Sequence, residues 1–500
     1  MSTMRPLAYR LPLLAPTNSD SAAAKSAKGS IALDTMPSWN LADLYSGTGS
    51  GPLKLDIEQA VKDAATFKTR YQGKLAGLAK DGAALAACVR DYEALEDLLG
   101  RLASYAQLLY AGNTADQANR KFYGDMQERL TNITSDLIFF SLEFNSLEDA
   151  PLAKACKHPE LAKYKPWIDD LRKEKPYQLD EKTEQLFHEK SVTGRAAWNR
   201  LFNETMTGLR FQVGGAELAI EPTLNLLSDP NDGKRRDAAA ALAKVFEENV
   251  DLFALITNTL AKDKEISDRW RGFKDVADGR HLANRVEREV VDALVEAVRA
   301  SYPRLSHRYY AMKAKWLGKA RLEHWDRNAP LPDKPERTIG WNAARETVLG
   351  AYAEFSPEMA EIAGDFFEKG WIDAPVRDGK SPGAFAHPTV PSAHPYILLN
   401  YQGKPRDVMT LAHELGHGVH QVLANGQGPL MAPTPLTLAE TASVFGEMLT
   451  FKALLAQTKT VKERKAMIAS KVEDMINTVV RQIAFYTFER KVHTERKGGE

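Results

Sequence analysis

Apolar residues recur at three- and four-residue spacing over most of this chain, and that rhythm predicts helix. From Trp39-Asn40-Leu41-Ala42-Asp43-Leu44-Tyr45 onward, the segments 55–80, 82–112 and 115–149 carry it. Charges of alternating sign lie between the apolar positions, as on solvated outer faces. The stretch 160–203 is similar, with breaks at Pro166 and Pro176. Helices resume over 233–275 and 282–318, and a pair fills 340–370. Around 207–221 the period changes. Thr207 to Val213 and Leu218-Ala219-Ile220 flank Gly214-Gly215, which reads as a short hairpin. A soft boundary falls near 205, and the Pro-rich stretch 326–336 reads as a loop.

Residues 379–404 change character again. Gly379-Lys380-Ser381-Pro382-Gly383 is a turn. Ala384 to Val390 is extended, because prolines discourage helix. Tyr396 to Tyr401 is a second strand that ends at Gly403. The expected fold class is mainly α with a small β-sheet. Its parts are a disordered tail at 1–35, an N-terminal helical domain at 36–205 and a second domain at 206–500. No fixed-period repeat supports a solenoid.

Composition narrows the function classes. Apolar residues make up 44% of the 500, enough for large cores. Basic and acidic side chains balance at 66 each, so no basic field points to nucleic acid or an anionic membrane. No apolar run reaches the roughly 18 residues of a membrane-spanning helix. Two cysteines, Cys88 and Cys156, make no disulfide framework and fit a reducing cytoplasm. Arg5 to Leu14 hints at a signal sequence, but Arg10 and Pro12 interrupt its apolar stretch.

The chemistry concentrates in Asp407 to His420, which contains H-E-x-x-H and three of the eleven histidines. At about 100° per residue, His413 and His417 fall within about 40° of each other, one turn apart, as two imidazoles sharing a metal must. Glu414 sits beside the pair, where a carboxylate can reach an activated water. Val408, Leu411, Leu415, Val419 and Val422 form the opposite, core-facing stripe. The bland alternative is a surface helix with two solvated histidines. His420 shares the face but lies roughly 10 Å along the axis from His413. It suits a supporting, substrate-side or packing role. The metzincin continuation would need Gly at 420 and His at 423; the chain has His420 and Leu423.

A catalytic zinc takes three protein ligands and keeps one position open. After the metal helix, Asn425 to Pro429 ends the helix, and Pro433 and Pro435 introduce another carrying Glu440 and Glu447. A hairpin of the two helices brings Glu440 to the metal. The competing reading makes Thr437-Leu438-Ala439-Glu440 a capping box. Glu447 is seven residues on, too far to bind the same ion, and can accept a hydrogen bond from a ligand histidine; a solvated carboxylate is its plain alternative. The extended segment before the metal helix has a free edge that can pair with a peptide backbone, making Gly383, Ala384, Phe385 and His387 candidate substrate contacts. A purely structural sheet is compatible with this. For His387 and His394, each preceding a proline, a loop histidine without a role stays open.

His413-Glu414-Leu415-Gly416-His417 followed by Glu440-Thr441-Ala442-Ser443-Val444-Phe445-Gly446-Glu447 resembles the M3 family of zinc metallopeptidases, and most closely its oligoendopeptidase F branch. Trp39 to Tyr45, Gly379 to Phe385, His394-Pro395-Tyr396 and Arg481-Gln482 to Glu489 agree with it, so the resemblance covers about 36–500. It implies a zincin-type helical body of two domains, with one zinc at the base of a deep channel and short peptides as substrates. Position by position, it carries His413, His417 and Glu440 as ligands and Glu414 as the catalytic carboxylate. Such enzymes continue through helices bearing a His and Tyr residues that meet the oxyanion. This chain stops at Glu500, and His493 does not stand in for them on spacing. If the chain is a fragment, apolar residues within 465–490 are expected to be exposed.

The function expected is a cytoplasmic zinc endopeptidase acting on oligopeptides. Zinc polarises the scissile carbonyl and activates water, while Glu414 takes a proton and delivers it to the leaving amine. Two rivals stand: a carboxypeptidase-like exopeptidase, and a helical peptide-binding protein with a structural zinc.

Overall fold

The computed structural model describes residues 34–331, 338–377 and 379–499. Most of the expected tail, residues 1–33, and the second part of the Pro-rich loop, residues 332–336, lie outside them. The chain is mainly helical, as the spacing predicts.

The N-terminal helices are α1 (Gly51–Tyr71), α2 (Gly82–Gly112) and α3 (Gln117–Ser135). Asp81 starts α2 by accepting from the Ala83 and Ala84 N–H groups, and Asp116 starts α3 by accepting from Asn119 N–H. Such caps satisfy donors that have no partner within the helix. The helical rhythm of 115–149 breaks after Ser135 and resumes at Ile138. The expected hairpin is β1 (Phe211–Val213) against β2 (Ala216–Leu218), antiparallel around Gly214 and Gly215, both at positive φ. The boundary near 205 lies within the helix Arg195–Gly208. Helices Asp232–Glu248, Val250–Arg271, Arg288–Ser301 and Ser306–Trp316 follow.

The part that positions the site begins with α4 (Trp341–Phe355) and α5 (Pro357–Glu368), separated at Ser356, whose side chain caps α5. A strand not foreseen comes next: β3 (Ile372–Pro375). Four residues containing Asp and Pro show no alternation, so the sequence pattern does not reveal it. With β4 (Phe385–His387) and β5 (Tyr396–Tyr401) it makes a sheet of order β3-β5-β4, in which β5 runs parallel to β3 and antiparallel to β4. Central β5 reads Tyr-Ile-Leu-Leu-Asn-Tyr and is buried at every residue but Asn400, as expected of a strand covered on both faces. β4 is shorter than the extended stretch expected, because Pro388 offers no N–H and Thr389 turns to positive φ.

Buried Asp373 of β3 finds its counter-charge in Lys380, whose ammonium donates to Asp373 Oδ1 at 2.8 Å, Pro375 O at 2.8 Å and Leu399 O at 2.5 Å. Burial, only partly offset by Asp373, pushes the Lys380 amine down to about 8. The pair fastens the turn at 379–383 to the sheet. Gly379 O also accepts from Thr114 N–H and Oγ, tying that turn to the end of α2.

One continuous core runs from Leu44 to Leu171 and again from Ile339 to Leu454, so the N-terminal helices pack with the sheet and the metal helix. A smaller core gathers Phe211, Val213, Ala238, Ala241 and Leu242. No helix among the described residues is long and apolar enough to cross a membrane.

Candidate metal centre

The H-E-x-x-H segment lies on α6 (Pro405–Ala424). Pro405 opens the helix where its missing N–H costs nothing, and Asp407 accepts from the Gln402 and Lys404 N–H groups at 2.9 Å each. Val408, Leu411, Leu415 and Val419 are buried and Val422 partly so, as the stripe predicts. Each fully buried side chain of this kind contributes about 1.5–3 kcal/mol to holding the helix in place. The other face carries His413 and His417, whose ring centroids are 5.0 Å apart.

The next helix, α7 (Leu436–Ala456), crosses α6 in backbone contact. A Cβ on Gly416 would fall 2.6 Å from Ala442 O, and one on Gly446 would fall 2.2 Å from Tyr352 Oη and 3.0 Å from Ala412 O. Tyr352 of α4 donates to that same Ala412 carbonyl at 2.6 Å. The approach places Glu440, in the second turn of α7, over the imidazoles. Glu440 therefore starts no helix, and the capping-box alternative does not describe it. Its Oε2 lies 3.3 Å from His413 Nε2 and 3.5 Å from His417 Nε2. Ser443 Oγ steadies that oxygen at 2.8 Å.

These three donors form the one metal-capable group among the described residues, all within 4.8 Å of one another. An ion held tetrahedrally at about 2.1 Å separates its ligand atoms by about 3.4 Å, and the two carboxylate–imidazole spacings of 3.3 and 3.5 Å match that. Burial opposes charge on His413, but hydrogen bonds to Glu440 and Glu447 outweigh it and push the ring up to about 10. The bonds from His413 and His417 hold the Glu440 carboxyl far below the usual carboxylate range. Surroundings that favour a proton here favour a cation between the same donors.

Glu447 also lies on α7. Its Oε2 is 3.3 Å from His413 Nδ1, close enough to accept a proton from that nitrogen while Nε2 faces Glu440. Its Oε1 accepts from Lys471 of α8 (Val461–Gly498). Burial raises the Glu447 carboxyl, but the His413 and Lys471 bonds prevail and hold it low. Glu414 is 3% exposed and lies between the three donors and β4: it feels the charges of His413, His417 and Glu440, and its carboxylate accepts from Ala386 N–H. Burial raises its pKa against the pull of His413 and His417, the direction a proton acceptor near neutrality needs. His420 is half-buried, and burial followed by His417 lowers its pKa.

The candidate substrate segment divides. The side chains of Ala384, Phe385 and His387 are buried, while Gly383 is partly accessible and its carbonyl accepts from Asn400 Nδ2 at 2.9 Å. Ala386, between Phe385 and His387, has both backbone groups engaged by α6: its N–H by Glu414 and its carbonyl by Gln421 Nε2 at 3.3 Å. His394 stacks on Trp371 at 3.9 Å and bonds Asp43 through Nε2, a packing role. Lys471, Gln421 and the Ala386 N–H escaped the sequence reading, because one lysine among many and a backbone group carry no motif. A separate cleft of about 790 Å³, lined by Glu184, Arg271, Arg280, Tyr486 and His493 among others, includes none of the metal-centre residues.

Two helices presenting these donors at this spacing have counterparts in known proteins. The sequence profile of peptidase family M3 matches residues 225–500, and that of oligopeptidase F matches 143–211. The chain belongs to peptidase family M3. This M3 peptidase is 27% identical over 474 residues to oligopeptidase PepF of Bacillus subtilis, covering 92% of this chain and 69% of that protein. It is 30% identical over 280 residues to an oligoendopeptidase F homolog of Lactococcus lactis, covering 55% of this chain and 46% of that one. Oligoendopeptidase-F from Enterococcus faecium shares its fold, with a TM-score of 0.64 at 19% identity over 90% of this chain and 76% of the other. The mainly helical M3 fold with its small sheet is thus the one expected.

Proposed function

We propose that this M3 peptidase is a zinc-dependent endopeptidase of short oligopeptides, acting in a reducing cytoplasm. The observation that carries the reading is the triangle of His413 Nε2, His417 Nε2 and Glu440 Oε2, with separations of 3.3 and 3.5 Å from the carboxylate oxygen. Three donors leave a fourth position for water or substrate, which favours a catalytic over a structural ion. Bound zinc supplies Lewis acidity at a carbonyl oxygen and makes water a better nucleophile near neutral pH. Glu414, buried and clear of the ligand set, accepts the proton from the attacking water and delivers it to the leaving amine. Glu447 keeps His413 in its ligating tautomer. Gly383 is proposed to guide the peptide backbone, while β4, whose outer edge at Ala386 is taken by Glu414 and Gln421, holds Glu414 in place rather than offering the free edge expected. The oligopeptide preference follows the names of the relatives, and the free thiols Cys88 and Cys156 suit the compartment.

Glu414→Gln tests the mechanism. Gln is nearly isosteric, so fold and zinc content should hold at about one ion per chain. Turnover of a quenched oligopeptide should fall by about 10²–10⁴-fold or more, because this group moves a proton in two steps. Normal turnover with zinc bound would remove Glu414 as the base.

A further inference from the structure

Glu447 is itself held from a third helix. Lys471 of α8 reaches Glu447 Oε1, while Glu447 Oε2 faces His413 Nδ1 at 3.3 Å. The two side chains are largely withdrawn from water, 11% and 17% exposed. A carboxylate in that position needs a compensating cation or it turns toward solvent. The Lys471 ammonium lies 5.9 Å over the Phe451 ring, donates to Glu447 and also draws on the nearby Asp474 carboxyl. The neighbouring stretch of α8 is anchored independently. Glu473 accepts from Lys313 at 2.7 and 2.8 Å and from Tyr309 Oη at 2.6 Å. The backbone that carries Lys471 is therefore fixed by other contacts, and its hydrogen bond goes to the Glu447 carboxylate.

We propose that Lys471 is a positioning residue of the metal centre: by taking one oxygen of Glu447 it leaves the other to orient His413, and so sets how tightly the ion is held. The inference rests on the zinc-site reading above. Outer partners of a ligand histidine typically govern metal affinity by about 10–100-fold.

The test is zinc affinity of the full chain by competition with a chromogenic chelator, together with the melting temperature of the metal-free protein. Lys471→Met should weaken zinc about 10–100-fold while the metal-free melting temperature holds, and Lys471→Arg should restore affinity to within a few-fold of wild type. Glu447→Gln should weaken zinc by a similar factor. Adding Lys471→Met to Glu447→Gln should then cost nothing further, because the lysine acts through that carboxylate. Where Lys471→Met does not fold, Lys471→Gln in the same pair of backgrounds gives the answer. Wild-type affinity in the lysine variant, or the same loss with and without Glu447, overturns the inference alone. A wild type that takes up no zinc, or His413→Ala binding as tightly as wild type, overturns the site reading with it.

Discussion

At the scale of single residues, Glu440 is the exposed member of the centre. Its side chain is 57% exposed against 21% for His413 and 16% for His417. Glu440→Ala should leave the fold intact and weaken zinc retention markedly, read as metal content after gel filtration against melting temperature. A residue that only capped a helix would cost about 1 kcal/mol and leave zinc in place. His387 gives a separate handle on pH. Its ring is fully buried and its pKa is pushed down from 6.5 to about 4 by burial. The unfolded chain therefore binds a proton that the folded chain refuses. Stability from this group is complete above about 6.5 and is lost as pH falls toward 4, on the order of 3 kcal/mol across the window. Urea melts at pH 7 and pH 5 should show a smaller acid loss in His387→Gln than in wild type; equal losses would refute the assignment. That His413 and His417 share one face was legible in the sequence because helical spacing dictates it. Burial of His387 was not, since a histidine before a proline looks the same in a loop and in a strand.

At the scale of elements, the centre depends on how closely α6 and α7 cross. Gly446 has Tyr352 Oη and Ala412 O where a side chain would begin. Gly446→Ala must push α7 off α6 or displace Tyr352, and either movement separates Glu440 from the imidazoles. It should lower zinc affinity at least about tenfold and destabilise by about 1–3 kcal/mol. Full zinc binding in a stable Gly446→Ala protein would show that the crossing has slack. The two helices were legible from period and proline punctuation. Their close approach was not, because the sequence shows small residues but not what faces them. β3 stayed hidden for a related reason: its buried Asp373 looks solvated until Lys380 is placed beside it.

At the scale of the whole molecule, the principal core runs through both the N-terminal helices and the half that carries His413, His417 and Glu440. The long last helix carries Ile468, Val472, Met475 and Val479 on exposed positions at four-, three- and four-residue steps, which sets them on one face. An exposed apolar row of this kind promotes association. Met475→Glu with Val479→Glu should raise the concentration at which light scattering departs from that of a monomer, with zinc content unchanged. Unaltered scattering would mean the row is not adhesive. Composition and helical rhythm made the fold class legible at this scale. Which helices share a core was not, because contacts between distant segments leave no local pattern.

α8 spans 38 residues without a break, about 57 Å of rod. Lys471 sits near one end, against the support of the metal centre. Tyr486, Glu489, Arg490 and His493 sit toward the other, in the wall of the separate cleft. One unbroken rod thus supplies Lys471 to Glu447 and, about 33 Å further along, a wall of the cleft, so two distant places share a single piece of backbone.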